Sequence, residues 1–196
     1  ANAGAGPTGE ILSGWKMRNA HLPARVLEQH SETVFTTDRA IDFIQEQGEQ
    51  PWCLHLSYIK PHWPYIAPAP YHALYGAAQV LAPIRAQTPS DHPVYTAFRQ
   101  HEESLNFSRE DVRLNVIPTY MGLIKQVDDQ LGRLFDLLHS TGRWDDTLIV
   151  FTSDHGDFLG DHLLGEKEFL LEPAVGVPLI VRDPRAVADV TRGTVD

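Results

Sequence analysis

An aspartate, a histidine and a glycine stand together at Asp154-His155-Gly156, directly after the apolar run Leu148-Ile149-Val150-Phe151. A short apolar run bounded by turn residues reads as a fully buried strand. A strand that ends this way delivers a carboxylate and an imidazole to the carboxyl edge of a sheet, where open α/β folds bind their ligands. A carboxylate paired with a neutral imidazole suits a divalent ion of intermediate softness such as Mn, Zn or Fe; all-oxygen sites suit Ca and Mg better. Asp154 and His155 are therefore candidate metal ligands. Neighbours in a regular strand point to opposite faces, so both can reach one ion only if the chain leaves strand geometry, and Gly156 would permit the φ required. The competing reading makes Asp154 a turn cap and leaves His155 solvated. A catalytic ion normally takes at least three protein ligands, so the others must come from elsewhere.

Two further residues carry candidate chemistry. Lys167, in Gly165-Glu166-Lys167, ends the glycine-rich loop that begins at Asp157, and it could return to the site as a point charge for an anionic oxygen. His62 stands beside Lys60 in a stretch stiffened by Pro61 and Pro64. It is placed to contact an anionic group or to protonate a leaving oxygen. The plainer alternatives are a surface lysine and a histidine packed on Trp63 and Tyr65. Asp161 and His162 read as solvated loop residues. Cys53 lies in an apolar stretch with no adjacent base or helix N-terminus to lower its pKa, so it reads as a buried structural thiol.

The elements that must position these groups follow an α/β order. Ala1 to Gly14 lacks periodicity, and Trp15 to Glu32 is irregular. Thr36 to Gln47 has one apolar face (Ala40, Ile41, Phe43, Ile44), with Thr37 or Asp38 as cap and Gly48 as stop. Trp52 to Tyr58 reads as a strand, followed by a proline-rich loop through Pro61, Pro64, Pro68 and Pro70 that cannot be helical. Leu74 to Gln100 reads as a long surface excursion. The strongest helix starts near Ser108-Arg109-Glu110, carries Ile117, Met121, Ile124, Asp128, Leu131, Leu134 and Leu138 at spacings of three and four, and ends at Gly142. Pro118 should kink it or mark its first turn. Val177 to Val181 reads as a last short strand. The expected fold is a mixed α/β sheet with helices on its faces. An irregular segment, 1–35, precedes a single domain portion, 36–196.

Composition bounds the alternatives. With 196 residues, 42% hydrophobic and 21% charged, the chain is long enough for one globular domain with a core. A net charge of −10 disfavours a nucleic-acid partner. No apolar run approaches the roughly 18 residues needed to span a bilayer, and no leader is visible, so no membrane partner and a cytoplasmic location are expected.

Taken jointly, three stretches resemble the sulfatase family of the alkaline phosphatase superfamily. They are Leu56-Ser57-Tyr58-Ile59-Lys60-Pro61-His62-Trp63-Pro64; Tyr120-Met121-Gly122 through Asp128-Asp129-Gln130; and Thr152-Ser153-Asp154-His155-Gly156 with Gly160-Asp161-His162 and Gly165-Glu166-Lys167. Within the family they look most like the phosphonate monoester hydrolases and related phosphodiesterases. The resemblance runs from about Thr36 to the C-terminus, and it implies an alkaline-phosphatase-like sheet flanked by helices on both faces. It further implies that Asp154 and His155 complete a site for one divalent metal. Typical members carry Asp-Asn there and bind calcium; the histidine agrees with the phosphonate hydrolase branch and with manganese. Lys167 matches the lysine that contacts the substrate anion, and His62 matches the histidine that assists at the leaving oxygen, with Lys60 beside it as a substrate-binding cation. Family members also carry a metal-binding acidic pair and a Cys-x-Pro-x-Arg motif whose cysteine becomes the formylglycine nucleophile. Neither is present here, so the chain reads as part of a longer hydrolase of phosphonate, phosphate or sulfate esters. Its expected partner is a small anionic ester, and the full enzyme is a candidate homo-oligomer through the 74–107 excursion. Leu170-Leu171-Glu172 and Gly176 also depart from the family pattern. Two alternatives remain at this point: a truncated binding or assembly module of the same fold, and a phosphoglycerate-mutase-like relative, which would need more His and Asp ligands.

Overall fold

A computed structural model describes residues 17–85, 90–186 and 193. The reading of Ala1 to Gly14 lies outside the described residues. Two helices form the frame. The first, α1 (Glu32–Glu46), begins a turn earlier than the sequence pattern suggests, because Ser31 is its cap and accepts a hydrogen bond from Val34 N at 3.4 Å. Thr37 is thereby an interior residue, buried, with its hydroxyl on the Thr33 carbonyl and the Tyr58 hydroxyl. Gly48, at φ +55, follows the helix as expected.

After two short helices, α2 (Pro93–Phe98) and α3 (Glu102–Phe107), comes α4 (Glu110–Ser140). Its 31 residues run through Pro118 without a break, which gives a rod of about 46 Å. Gly142 stops it at φ +70. Ala40 and Ile44 of α1 meet Leu134 and Leu138 of α4 in one apolar cluster. Polar ties flank that seam: Gln126 Nε2 donates to Ser31 Oγ at 2.9 Å, and Arg133 pairs with Asp38 at 2.7 Å. The N-terminal half of α4 buries Val112 and Val116 against Met17, Ala20, Tyr65 and Phe107.

Trp52 to Tyr58 is extended, but it is not a strand of a described ladder. Trp52, Leu54 and Leu56 face the α1–α4 cluster while Cys53, His55 and Ser57 are exposed. The alternation of a strand is present, but the segment forms no ladder with any described segment. Cys53 is accordingly exposed, contrary to its apolar surroundings in sequence. The described sheet is the antiparallel pair β1 (Ile149–Thr152) and β2 (Leu179–Arg182), in register Val150 to Val181 and Phe151 to Ile180. β1 was expected to be fully buried. Instead Val150 is 56% exposed and Ile180 60%, because described residues cover neither face of the pair beyond Ile149, which packs on the α1–α4 cluster. A fifth helix, α5 (Glu172–Val175), precedes β2. Among the described residues no helix is long and apolar enough to cross a membrane.

Candidate active site

The frame brings two loops to one cavity of about 380 Å³. The first loop, 59–65, continues from the extended 52–58 segment. Lys60 Nζ donates to the carbonyls of His62 at 3.1 Å and Pro64 at 2.8 Å, so this ammonium braces the loop that carries His62. The peptide bonds before Pro61 and Pro64 are cis. The second loop starts where β1 ends at Thr152. Asp154 and His155 thus lie beyond the strand, free of its alternation, and their side chains meet with Asp154 Oδ2 at 3.6 Å from His155 Nε2.

Gly156 serves this turn differently from the φ argument. Its φ is not in the left-handed region. Its backbone is pressed onto α5, with Gly156 N donating to the Ala174 carbonyl at 2.7 Å, and a Cβ there would lie 2.0 Å from the Pro173 oxygen. Beyond it the loop folds back on itself through Phe158 N to the Glu166 carbonyl at 2.8 Å and Gly160 N to the Leu164 carbonyl at 2.9 Å. Leu159, His162, Leu163 and Glu166 all take positive φ, uncommon for residues with a Cβ. Surrounding structure holds them there. Arg113 reaches the carbonyls of Leu159 and Leu81, and Asp161 Oδ1 accepts from Ile84 N at 2.7 Å while His162 N donates to the Ile84 carbonyl at 2.8 Å. Asp161 and His162 therefore dock the segment around Ile84 and are not merely solvated.

This fold-back carries Lys167 to His62, Nζ to Nε2, at 2.5 Å. His62 Nδ1 lies 3.0 Å from the Trp63 carbonyl. A carbonyl only accepts, so Nδ1 holds the hydrogen and Nε2 is left as acceptor for the lysine. The same logic applies to His155, whose Nδ1 is 2.7 Å from the Gly156 carbonyl, leaving Nε2 to bind an electrophile. The two imidazoles meet edge to face, 5.7 Å between centroids. Asp154, His155, His62, Lys60 and Lys167 all line the cavity.

The donor set fits half a metal site. Ligand bonds of about 2.0–2.2 Å allow one ion to bridge a carboxylate oxygen and an imidazole nitrogen at the observed spacing, and His155 presents the nitrogen that metals take. Among the described residues no third carboxylate, imidazole or thiolate completes the set.

Sequence reading missed Tyr65, Tyr120, Asp157 and Glu166, which also line the cavity. Tyr65 is 2% exposed and donates to Asp157 Oδ2 at 2.6 Å. Burial pushes the Tyr65 hydroxyl well above its ordinary range, and the Asp157 charge adds to that. Tyr120 is pushed up to about 12 for the same two reasons. Asp157 is raised by burial, against the pull of the Tyr65 hydrogen bond, the Leu159 N–H and the charges of His62 and Lys167. Glu166 is raised by burial and then by the nearby charges of Glu168 and Glu103. The position of Asp157 in the same turn as Asp154 and His155 was the available signal for it; Tyr65 had none beyond its place after Pro64.

A sequence model of the sulfatase family matches residues 9–195. The chain is 40% identical over 177 residues to the multifunctional alkaline phosphatase superfamily protein PehA of Trinickia caryophylli, covering 82% of this chain and 34% of that protein. It is 34% identical to the choline-sulfatase of Rhizobium meliloti, covering 71% of this chain and 28% of that protein. Among solved structures it superposes on the phosphonate monoester hydrolase SpPMH from Silicibacter pomeroyi with a TM-score of 0.78, at 30% identity over 94% of this chain and 37% of that one. The phosphonate monoester hydrolase of Agrobacterium radiobacter gives 0.77 at 31% identity, covering 84% of this chain and 35% of that one. The chain thus spans about a third of the length of these relatives. Its fold is the α/β alkaline-phosphatase-like fold of these hydrolases, and the chain belongs to the sulfatase family.

Proposed function

We propose that this chain supplies the metal-pair and leaving-group side of an ester hydrolase site, acting on phosphonate or phosphate monoesters and diesters, or on sulfate esters. The observation that carries the reading is the convergence of His62, Lys167, Asp154 and His155, from two distant stretches, on one cavity. Asp154 and His155 would hold a divalent ion, and His155 in place of an amide favours Mn over Ca. Bound there, the ion would act as a Lewis acid on a non-bridging oxygen. Lys167 donates to a second non-bridging oxygen as negative charge builds. Its ammonium now occupies His62 Nε2; when it turns to the substrate, that nitrogen is free to take up a proton from water, giving the imidazolium, and to pass it to the leaving oxygen, with the ring held in place by Trp63. Lys60 adds positive potential while it braces the loop.

The remaining metal ligands and the formylglycine nucleophile of this family are assigned to polypeptide outside these residues. Two features support that: the strand-like 52–58 segment has no described ladder partner, and the β1–β2 faces are exposed. Additional strands of a longer sheet would pair the first, and helices packed on that sheet would cover the second. Asp154→Ala in that longer polypeptide tests the reading. It should abolish manganese loading and hydrolysis of an aryl phosphonate together. Retained metal with lost activity would remove Asp154 from the ligand set.

A further inference from the structure

Two loops carry the substrate-facing groups, and behind the His62–Lys167 contact a short hydrogen bond from the core, Tyr65 to Asp157, also joins them. We propose that Tyr65, acting through Asp157, is a positioning residue that sets the spacing of His62 and Lys167. This rests on the roles given to those two groups above.

Tyr65 is anchored from behind. Its ring is buried, edge-on to Phe107 at 5.8 Å and to Tyr120 at 6.1 Å between centroids. Its hydroxyl points out of the core and donates to Asp157 Oδ2 at 2.6 Å, while Asp157 Oδ1 accepts from Leu159 N at 3.0 Å. Each carboxylate oxygen is thus committed, one to the 59–65 loop and one to the 157–167 loop. Both loops are stiff between this bond and the working groups. On one side, the Lys60 ammonium ties the carbonyls of His62 and Pro64, so a displacement of Tyr65 is passed to His62. On the other, the Phe158 N to Glu166 carbonyl bond closes the loop next to Lys167. The His62–Lys167 contact is the far side of a ring of which the Tyr65–Asp157 bond is the near side. Its strength comes from a charged acceptor in partial burial. A tyrosine that merely filled the core would need no hydroxyl.

Two substitutions separate tether from filler. Tyr65→Phe keeps the ring and its packing and removes the bond. Asp157→Asn leaves one oxygen for two donors, the Tyr65 hydroxyl and the Leu159 N–H, and so weakens the tether without deleting the side chain. The readout is the ring-nitrogen resonances of His62 in the full chain with ¹⁵N-labelled histidine, calibrated by Lys167→Met, which removes the lysine from Nε2 outright. We expect Tyr65→Phe to reproduce at least half of the Lys167→Met displacement, with Asp157→Asn falling between Tyr65→Phe and the unsubstituted chain. His62 resonances unmoved in Tyr65→Phe, with Lys167→Met moving them, would overturn the proposal. Asp157→Ala breaks the same bond without touching the core ring. It must give the Tyr65→Phe displacement, and its failure to do so would refute the tether even if Tyr65→Phe unfolds. A titration of the unsubstituted chain with manganese and phenylphosphonate reads the hydrolase assignment separately. No binding there would count against that assignment and leave the tether result standing.

Discussion

Gly156→Ala should be far more damaging than an alanine usually is, and its cost can be worked from contacts. The added methyl would sit 2.0 Å from the Pro173 carbonyl oxygen, with Ala174 Cα at 3.5 Å behind it. The obstacle is backbone, so it cannot swing aside as a side-chain tip would. Either α5 or the 153–157 turn must move by more than 1 Å to reach ordinary contact, roughly the scale at which overpacking costs about 1–3 kcal/mol. The same movement lengthens the 2.7 Å bond from Gly156 N to the Ala174 carbonyl, worth about 1 kcal/mol. The sum is about 2–4 kcal/mol, which for a chain of this size lowers Tm by about 5–15 °C. Gly132→Ala is the control. Gly132 lies inside α4 with nothing within 4 Å of its added Cβ, so helix propensity alone should stabilise by about 0.5–1 kcal/mol. Thermal unfolding followed by circular dichroism reads both. A Gly156→Ala melt within 2 °C of the unsubstituted chain, or an equal fall for Gly132→Ala, would refute the close-approach argument.

Two further outcomes follow from the site. Burial and the Glu168 and Glu103 charges raise the Glu166 pKa in the folded state. Its stabilising contribution is therefore complete below the unfolded value of about 4.3 and is lost as pH rises through the folded one. Glu166→Gln should then raise Tm at pH 8, with the gain vanishing near pH 4; calorimetry at both values checks this, and a pH-independent gain would contradict it. His62→Ala in the complete enzyme should slow esters of poor leaving groups more than esters of good ones, read as a steeper dependence of kcat on leaving-group pKa. Equal losses across the series would assign His62 to binding.

Much of this was legible in the chain, for identifiable reasons. The three-and-four spacing of apolar residues located α4, and Gly48 and Gly142 marked helix ends because both take positive φ. The start of α1 was misplaced because Thr36, Thr37 and Asp38 offer the same capping chemistry as Ser31, and only packing of Thr33 and Val34 decides between them. Period-two patterning at 52–58 gave the correct face and said nothing of a ladder, since pairing belongs to a partner segment. Asp154, His155, His62 and Lys167 could be nominated as candidates by type and by their neighbours, and the fold brings all four to one cavity. The Tyr65–Asp157 bond joins residues 92 apart in sequence, and no local pattern encodes a contact that the fold creates.

The central claim is that Asp154 and His155 face one ion in the cavity that His62 and Lys167 share. Manganese titrated into the ¹⁵N-histidine-labelled chain tests it directly, because a paramagnetic ion broadens the nearest imidazoles even when it binds weakly. The account predicts that His155 broadens first and His62 next, ahead of His72, His92 and His139, and that Asp154→Ala abolishes this order. Broadening that spares His155, or that survives Asp154→Ala unchanged, would contradict it.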